Sequence, residues 1–202
     1  MAKDEIMGYL DVFCARVERR WRGSLVSVRE AAALASHAKE YLAQAAARGL
    51  VERVTWGWYY LPSPFNGALD FLSKERHFKV LQKQTAASVW NGDFVHREEY
   101  AVAVTDASYA RALRAFARGR GWGISLEIRD FHPGEYVRRE GSYVEALEET
   151  IVQCIKEWAF VDAFASLYAR RAVIDWRKLG HKQCRGIFPR PGFEGGKLGG
   201  VT

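Results

Sequence analysis

Residues 27–61, SVREAAALASHAKEYLAQAAARGLVERVTWGWYYL, decide how this chain is read. Two short helical patterns lie in tandem, Ser27–Ala35 and Ser36–Arg48. Ser27 and Glu30 have the spacing of a capping box, and Ser36 is placed to cap the second helix. Within Ser36–Arg48, Ala38, Leu42 and Ala45 share one face, which leaves His37, Lys39, Glu40, Gln44 and Arg48 outside. Gly49 stops the helix. Two alternating segments follow, Leu50–Val54 and Trp58–Leu61, joined by a tight turn at Thr55-Trp56-Gly57. Helix, turn, helix and two-stranded wing is the element order of a winged helix-turn-helix domain, which sets its second short helix in the DNA major groove. The residues expected to face DNA are Ser36, His37, Lys39, Glu40, Gln44 and Arg48, with Arg53, Thr55 and Trp56 from the wing. Among them Gln44 is best suited to adenine. Strand alternation sets Trp58 and Tyr60 on one face of the wing and Tyr59 on the other.

On the N-terminal side, Ile6, Leu10, Phe13, Val17 and Trp21 form one apolar stripe, which predicts a helix over 4–22 ended by Gly23. The aromatic density of the wing suggests that one of its faces packs on this helix near Phe13 and Val17. On the C-terminal side, Pro62-Ser63-Pro64 stops the second wing strand and marks the clearest boundary, about which two domains are expected to hinge. Beyond it, residues 65–91 read as mostly helical, with a strand near Phe78–Gln82 left open. Tyr100–Thr105 reads as a buried strand. Ala107–Arg118 reads as a helix with Tyr109, Leu113, Phe116 and Ala117 inward. Ile124–Phe131 reads as a strand, His132-Pro133-Gly134 as a turn, and Glu135–Arg139 as its partner strand. From Val144 the pattern is helical: Leu147, Ile151, Ile155 and Trp158 mark one face, and Phe160, Phe164, Leu167 and Tyr168 the next. Asp175 is placed to cap a short helix holding Trp176 and Leu179. The predicted class is α+β: a winged helix-turn-helix over 1–62, a small mixed α/β domain with C-terminal helices over 63–185, and a flexible glycine- and proline-rich tail over 186–202.

Composition permits a core and narrows the partners. Of the 202 residues, 49% are hydrophobic and 13% aromatic, which excludes wholesale disorder. No apolar run nears the roughly 20 residues that span a bilayer. Together with a start that lacks signal-peptide organisation, this points to the cytoplasm and away from membranes. The formal charge of +6 and pI near 9.3 suit a polyanionic partner. The excess is spread evenly, with 9 basic against 7 acidic residues in 1–62, 12 against 10 in 63–144, and 9 against 7 in 145–202. Any basic patch must therefore be assembled by folding. Cys14, Cys154 and Cys184 are odd in number and far apart, which suits reduced, incidental thiols.

Catalytic constellations are missing. Gly119-Arg120-Gly121-Trp122-Gly123 follows a helix and precedes a strand, the reverse of a dinucleotide loop. His37, His77, His96, His132 and His181 are scattered without metal-ligand spacing. No GxSxG elbow occurs, and no cysteine sits beside an obvious base. The expectation is a protein without catalytic residues, metal or cofactor. One charged pattern remains: Arg111, Arg114 and Arg118 fall within about 60° of one another on an ideal helix, and Arg120 follows. They form either a solvated face or a contact surface for a partner or for phosphates.

A wing of the form GL-(I/V)-E-R-V…G-x-Y-x-L-P at Gly49–Pro62, a short α/β domain, and then LEETIVQCI…IDWRKL within Leu147–Leu179 resemble the AbiEi-type antitoxins and related regulators. The resemblance implies a transcriptional repressor of its own toxin–antitoxin operon. It further implies binding, possible as a homodimer, to inverted repeats in double-stranded operator DNA, and a second domain that counters a nucleotidyltransferase-like toxin. In that family the wing commonly carries a basic residue just before the turn glycine, where this chain has Trp56. Two other readings stay open. In one, the winged helix packs against a protein and reads no sequence. In the other, a ligand-sensing regulator or enzyme has a pocket in the second domain near Tyr100–Asp130.

Overall fold

The computed structural model of the chain describes residues 8–92 and 99–181, with 180 and 181 described by backbone alone. The tail expected at 186–202 and the first residues of the helix expected over 4–22 lie outside them.

Helix α1 (Tyr9–Trp21) buries Leu10, Phe13, Val17 and Trp21, the stripe read from the sequence. It is followed by a three-residue strand, β1 (Leu25–Ser27), too short for periodicity to reveal. Ser27 ends β1 and caps α2 (Val28–Ala31): its Oγ accepts the Glu30 N–H at 3.1 Å, and the Glu30 carboxylate accepts the Ser27 N–H at 2.8 Å. The helix expected over Ser27–Ala35 is thus a single turn. Leu34 and Ala35 instead pack beside Ala31 on a small core, so tertiary contact overrides the helix propensity of the alanine run. Helix α3 (Ala38–Ala47) starts two residues later than expected, with His37 rather than Ser36 at the N-cap, and buries Ala38, Leu42 and Ala45. Strands β2 (Glu52–Thr55) and β3 (Trp58–Tyr60) form an antiparallel hairpin, and β1 adds to the other edge of β3. Gly57 turns the wing at φ +72°, a conformation that favours glycine.

Alternation along β3 divides the packing of this region. Tyr59 joins Phe13, Val17, Trp21 and Leu42 in a core between the three-stranded sheet, α1 and α3. Trp58 and Tyr60 face the other way, into a larger core with residues from the second half of the chain. There Tyr60 meets the Phe116 ring at 4.6 Å, and Phe116 stacks on Phe71 at 4.5 Å. At the proline boundary the Tyr60 hydroxyl donates to the Ser63 carbonyl at 3.0 Å and accepts the Ser63 N–H at 3.1 Å. The regions on either side of Pro62–Pro64 therefore share one core.

The second half is a five-stranded mixed sheet with helices. Helix α4 (Gly67–Lys74) and helix α5 (Lys83–Asn91) make 65–91 mostly helical, and strand β4 (Lys79–Leu81) lies between them where a strand near Phe78–Gln82 was left open. Strands β5 (Glu99–Val104) and β6 (Gly123–Ile128) pair in parallel across α6 (Ala107–Gly119), as a strand–helix–strand unit requires. Strands β7 (Tyr136–Arg139) and β8 (Ser142–Glu145) complete the order β6-β5-β4-β8-β7; β7 pairs with β8, the strand next in the chain, and lies at the opposite edge of the sheet from β6, the partner expected for it. Val144 and Glu145, read as the start of a helix, belong to β8, where pairing on both sides holds them extended. Helix α6 buries Tyr109, Leu113, Phe116 and Ala117 as expected.

The C-terminal helices depart further from expectation. Helix α7 (Leu147–Lys156) buries Leu147, Ile151 and Ile155, but Trp158 falls beyond its end and stands in solvent. Helix α8 (Phe160–Arg170) is turned over: Ala163 and Ser166 are buried, Phe160, Phe164 and Tyr168 are exposed, and only Leu167 of the expected face is partly buried. The polar edge of α8 fixes this orientation. Ser166 Oγ donates to Asn91 Oδ1 at 3.0 Å, and Arg170 Nε donates to the Trp90 carbonyl at 2.8 Å. Asp175 caps α9 (Trp176–His181) by accepting the N–H groups of Arg177 and Lys178.

Candidate nucleic-acid interface

The solvent face of α3 and the tip of the wing meet at Trp56. Its indole is 77% exposed, with Lys39 Nζ from α3 and the Arg53 guanidinium from β2 each 5.7 Å from the ring centroid. An aromatic face attracts both cations and holds them on one surface although they are 14 positions apart. Glu40 and Gln44 stand exposed on α3. Ser36 and His37 lie exposed just before it, and the His37 ring meets Tyr41 edge-on at 6.3 Å. Thr55 is half-buried at a register irregularity in the wing. Arg48, at the C-terminal end of α3, lies 3.8 Å from Asp11 of α1, a surface pair of little energetic weight.

The arginines of α6 separate into two groups. Arg111, Arg114 and Arg118 are exposed along one side of the helix. Arg120, expected to extend that stripe, is turned onto the N-terminal region instead. It makes a bidentate pair with Glu52 of β2, at 3.1 and 2.6 Å, and its guanidinium lies 3.9 Å from the Phe116 ring centroid. The carboxylate and the ring face, both brought close by the shared core, draw it away from the other three.

Sequence reasoning missed a polar network between the two halves. His77 lies between two carboxylates, with Nδ1 2.7 Å from Glu75 Oε1 and Nε2 2.9 Å from Glu30 Oε1. Its ring stacks on Tyr109 at 4.5 Å. The Glu75 side chain is fully buried; it accepts the Tyr109 hydroxyl at 2.5 Å and pairs with Lys79 at 3.3 Å. Beside it, Trp58 Nε1 donates to Ser108 Oγ at 2.9 Å. Burial disfavours charge throughout the cluster. At His77 that effect is outweighed by hydrogen bonds to Glu30 and Glu75 and by their charges, and the pKa rises to about 9. Glu30 is also pushed up by burial, but bonds from His77 and Ser27 bring it down to about 2. Glu75, against a large burial effect, is held below the usual carboxylate range by Lys79 and His77. Burial lowers Lys79, and Glu75 offsets this only in part. Burial and the Glu75 charge raise the Tyr109 phenol well above its ordinary value, so it remains a donor. The trace of this network in the sequence is the alternation Glu75, His77, Lys79 ahead of an apolar strand, a pattern equally suited to a solvated strand face.

A polar cavity of about 420 Å³ opens beside the network, with Arg76, Lys79, Arg138 and Ser142 among its lining. It lies over β4 and the β7–β8 hairpin; another cavity, of about 380 Å³ and lined by Arg114, Arg118, Trp122 and Ile124 among others, lies within Tyr100–Asp130, the region where a cleft would favour the ligand-sensing reading. Among the described residues no group of three or more His, Cys, Asp or Glu could hold a metal ion, and no helix is long and apolar enough to cross a membrane. No protein-family model matches the chain, and no curated protein matches it.

Proposed function

We propose that this chain is a DNA-binding transcriptional regulator of the cytoplasm, with α3 as the element that enters the major groove and the β2–β3 wing set on the flanking backbone. The observation that carries this reading is the exposed Trp56 indole with Lys39 and Arg53 beside it. Two cations and a flat apolar face on one projecting surface suit a sugar–phosphate strand. The polar side chains of α3, Gln44 foremost, then have base edges within their reach. The resemblance to AbiEi-type antitoxins extends the proposal to an autorepressor that binds an inverted repeat and whose second domain meets a nucleotidyltransferase-like toxin. No catalytic step is assigned to the chain.

Fluorescence anisotropy with duplexes from the chain's own upstream region and with scrambled duplexes, across salt concentrations, tests this reading. The expected outcome is tighter binding to the native duplex, with log affinity falling linearly in log salt. Lys39→Ala weakens all duplexes alike and lowers the salt slope by about one unit. Gln44→Ala relaxes preference at one position of each half-site by about 1–3 kcal/mol. Equal, salt-independent behaviour of wild type and both variants would sink the DNA reading and leave α3 as a protein-docking face, to which its exposed Ala43 and Ala47 are suited.

A further inference from the structure

The cavity of about 420 Å³ beside the His77 network carries an excess of positive charge. Its lining includes five basic side chains, Lys74, Arg76, His77, Lys79 and Arg138, and one carboxylate, Glu75. His77 counts among the cations because each ring nitrogen lies within 2.9 Å of a carboxylate oxygen, a geometry in which both donate. Three of the five are answered within the fold. Lys74 pairs with Asp70 at 2.8 Å, His77 with Glu30 and Glu75, and Lys79 with Glu75. Arg76 and Arg138 remain. The Arg76 guanidinium donates to the Arg20 carbonyl but meets no carboxylate among the described residues, and the Arg138 side chain has no polar partner among them. Five cations thus face three carboxylates, and an excess of two charges on one concave surface suits a dianion.

Ser142 supplies an independent sign. It is 7% exposed and lines the cavity, and its Oγ finds no hydrogen-bond partner among the described residues. A buried hydroxyl left unpaired costs stability, and an oxyanion beside it would accept its hydrogen bond. Lys79 is buried as well, but its ammonium group is directed at the Glu75 and His77 carbonyls and the Glu75 carboxylate, so it contributes field rather than a free donor. Ser142 also borders a second cavity of about 420 Å³, whose charged residues are Asp70 and Glu140 and repel an anion. Ser142, Arg76 and Arg138 come together only in the first. Its size bears on what the anion is attached to. A water molecule takes about 30 Å³ of liquid, so a bare oxyanion fills a small part of the space. Leu72, Leu81 and Tyr143 offer apolar surface to the remainder. The Tyr143 ring, braced by Phe78 at 5.1 Å and Tyr136 at 5.6 Å, still stands 37% exposed.

We infer that this cavity binds an organic phosphate monoester, with Arg76, Arg138 and the Ser142 hydroxyl on the phosphate and the Tyr143 ring beside the organic part. The inference stands independently of DNA binding. Isothermal titration calorimetry on the full chain, in buffer free of phosphate and sulfate, tests it with phenyl phosphate, inorganic phosphate and benzoate as probes. Phenyl phosphate is expected to bind a single site per chain with a Kd below about 1 mM, inorganic phosphate more weakly, and benzoate about tenfold more weakly or worse. Arg138→Glu, at an exposed side chain, should abolish this binding and leave the melting temperature nearly unchanged. Ser142→Ala should weaken phenyl phosphate about tenfold, the loss of one hydrogen bond to a charged group. It should not lower the melting temperature of the unliganded chain, since the hydroxyl it removes has no partner. Arg118→Glu, on the exposed side of α6, should bind phenyl phosphate like wild type. Wild type that shows neither binding by calorimetry nor a shift in melting temperature at about 10 mM phenyl phosphate overturns the proposal. Benzoate that binds as tightly as phenyl phosphate overturns it too. So do equal losses in Arg118→Glu and Arg138→Glu, because the anion is then held by the general charge of the chain.

Discussion

On α6 the bulky side chains Tyr109, Leu113 and Phe116 are buried, whereas on α8 Phe160, Phe164 and Tyr168 stand in solvent and the small Ala163 and Ser166 are buried. Both helices show helical apolar spacing, and both patterns read as inward faces. They differ in their neighbours. The bulky face of α6 meets Tyr60 and Phe71, supplied by the wing sheet and by α4. Helix α8 lies against α5 and α7 through its small side chains, which permit close approach, and no described element covers its aromatic side. Periodicity locates an apolar face, and what covers that face is a property of the assembled chain.

Paired truncations sharpen this contrast most. Phe116→Ala is expected to cost about 3–5 kcal/mol in urea unfolding, as for a buried aromatic that leaves a cavity. Phe164→Ala, at an exposed side chain, is expected to cost less than about 0.5 kcal/mol. Equal losses would mean that α8 is packed like α6 in solution.

The polar anchor of α6 comes next. Glu75→Ala leaves Lys79 and the Tyr109 hydroxyl buried without their carboxylate and should cost about 3 kcal/mol. If Glu75→Ala unfolds at the wild-type urea midpoint, the network does not hold α6 to the rest of the chain.

Titration probes the same anchor through His77. Its folded pKa, about 9, lies above its ordinary 6.5, so its contribution is complete below pH 6.5 and is lost as pH rises toward 9. Glu30, at about 2 against an ordinary 4.5, contributes above pH 4.5 and loses that contribution as pH falls toward 2. Stability should therefore be highest between about pH 4.5 and 6.5 and fall on the alkaline side by on the order of 2 kcal/mol. His77→Gln should flatten that alkaline limb. An unchanged limb in the variant would assign the pH dependence to other groups.

The smallest effect is expected at the end of α6. Arg120→Ala removes the Glu52 pair and the cover over Phe116, but Glu52 is 45% exposed. Solvent screening limits the loss to about 1 kcal/mol, and most of what remains should persist in 1 M salt because it is packing. A loss erased by salt would instead mean that the ion pair dominates.

Much of the fold was legible because its causes are local. The Ser27–Glu30 capping box, the division of Trp58 and Tyr60 from Tyr59, the strand at Tyr100 and the inward face of α6 each follow from spacing within a few residues. The candidate interface was legible in part. Lys39, Arg53 and Trp56 were singled out separately, but their meeting on one surface depends on the angle between α3 and the wing. Arg120 was grouped with its sequence neighbours, and folding placed it with Glu52 instead.

By itself, then, the sequence determined which segments are helices or strands wherever a period repeats, and which faces of them are apolar. Sterics and side-chain direction act over a few residues and need no partner. The tertiary structure decided the rest. It drew β1 and β8 into sheets through backbone pairing with distant strands. It gave Glu30 a second task, joining its capping of α2 to a hydrogen bond with His77, 47 positions away. It also left the aromatic side of α8 uncovered. Strand pairing, charge stabilisation in a buried site and the covering of an apolar face all depend on groups far apart in the chain, which no local pattern encodes.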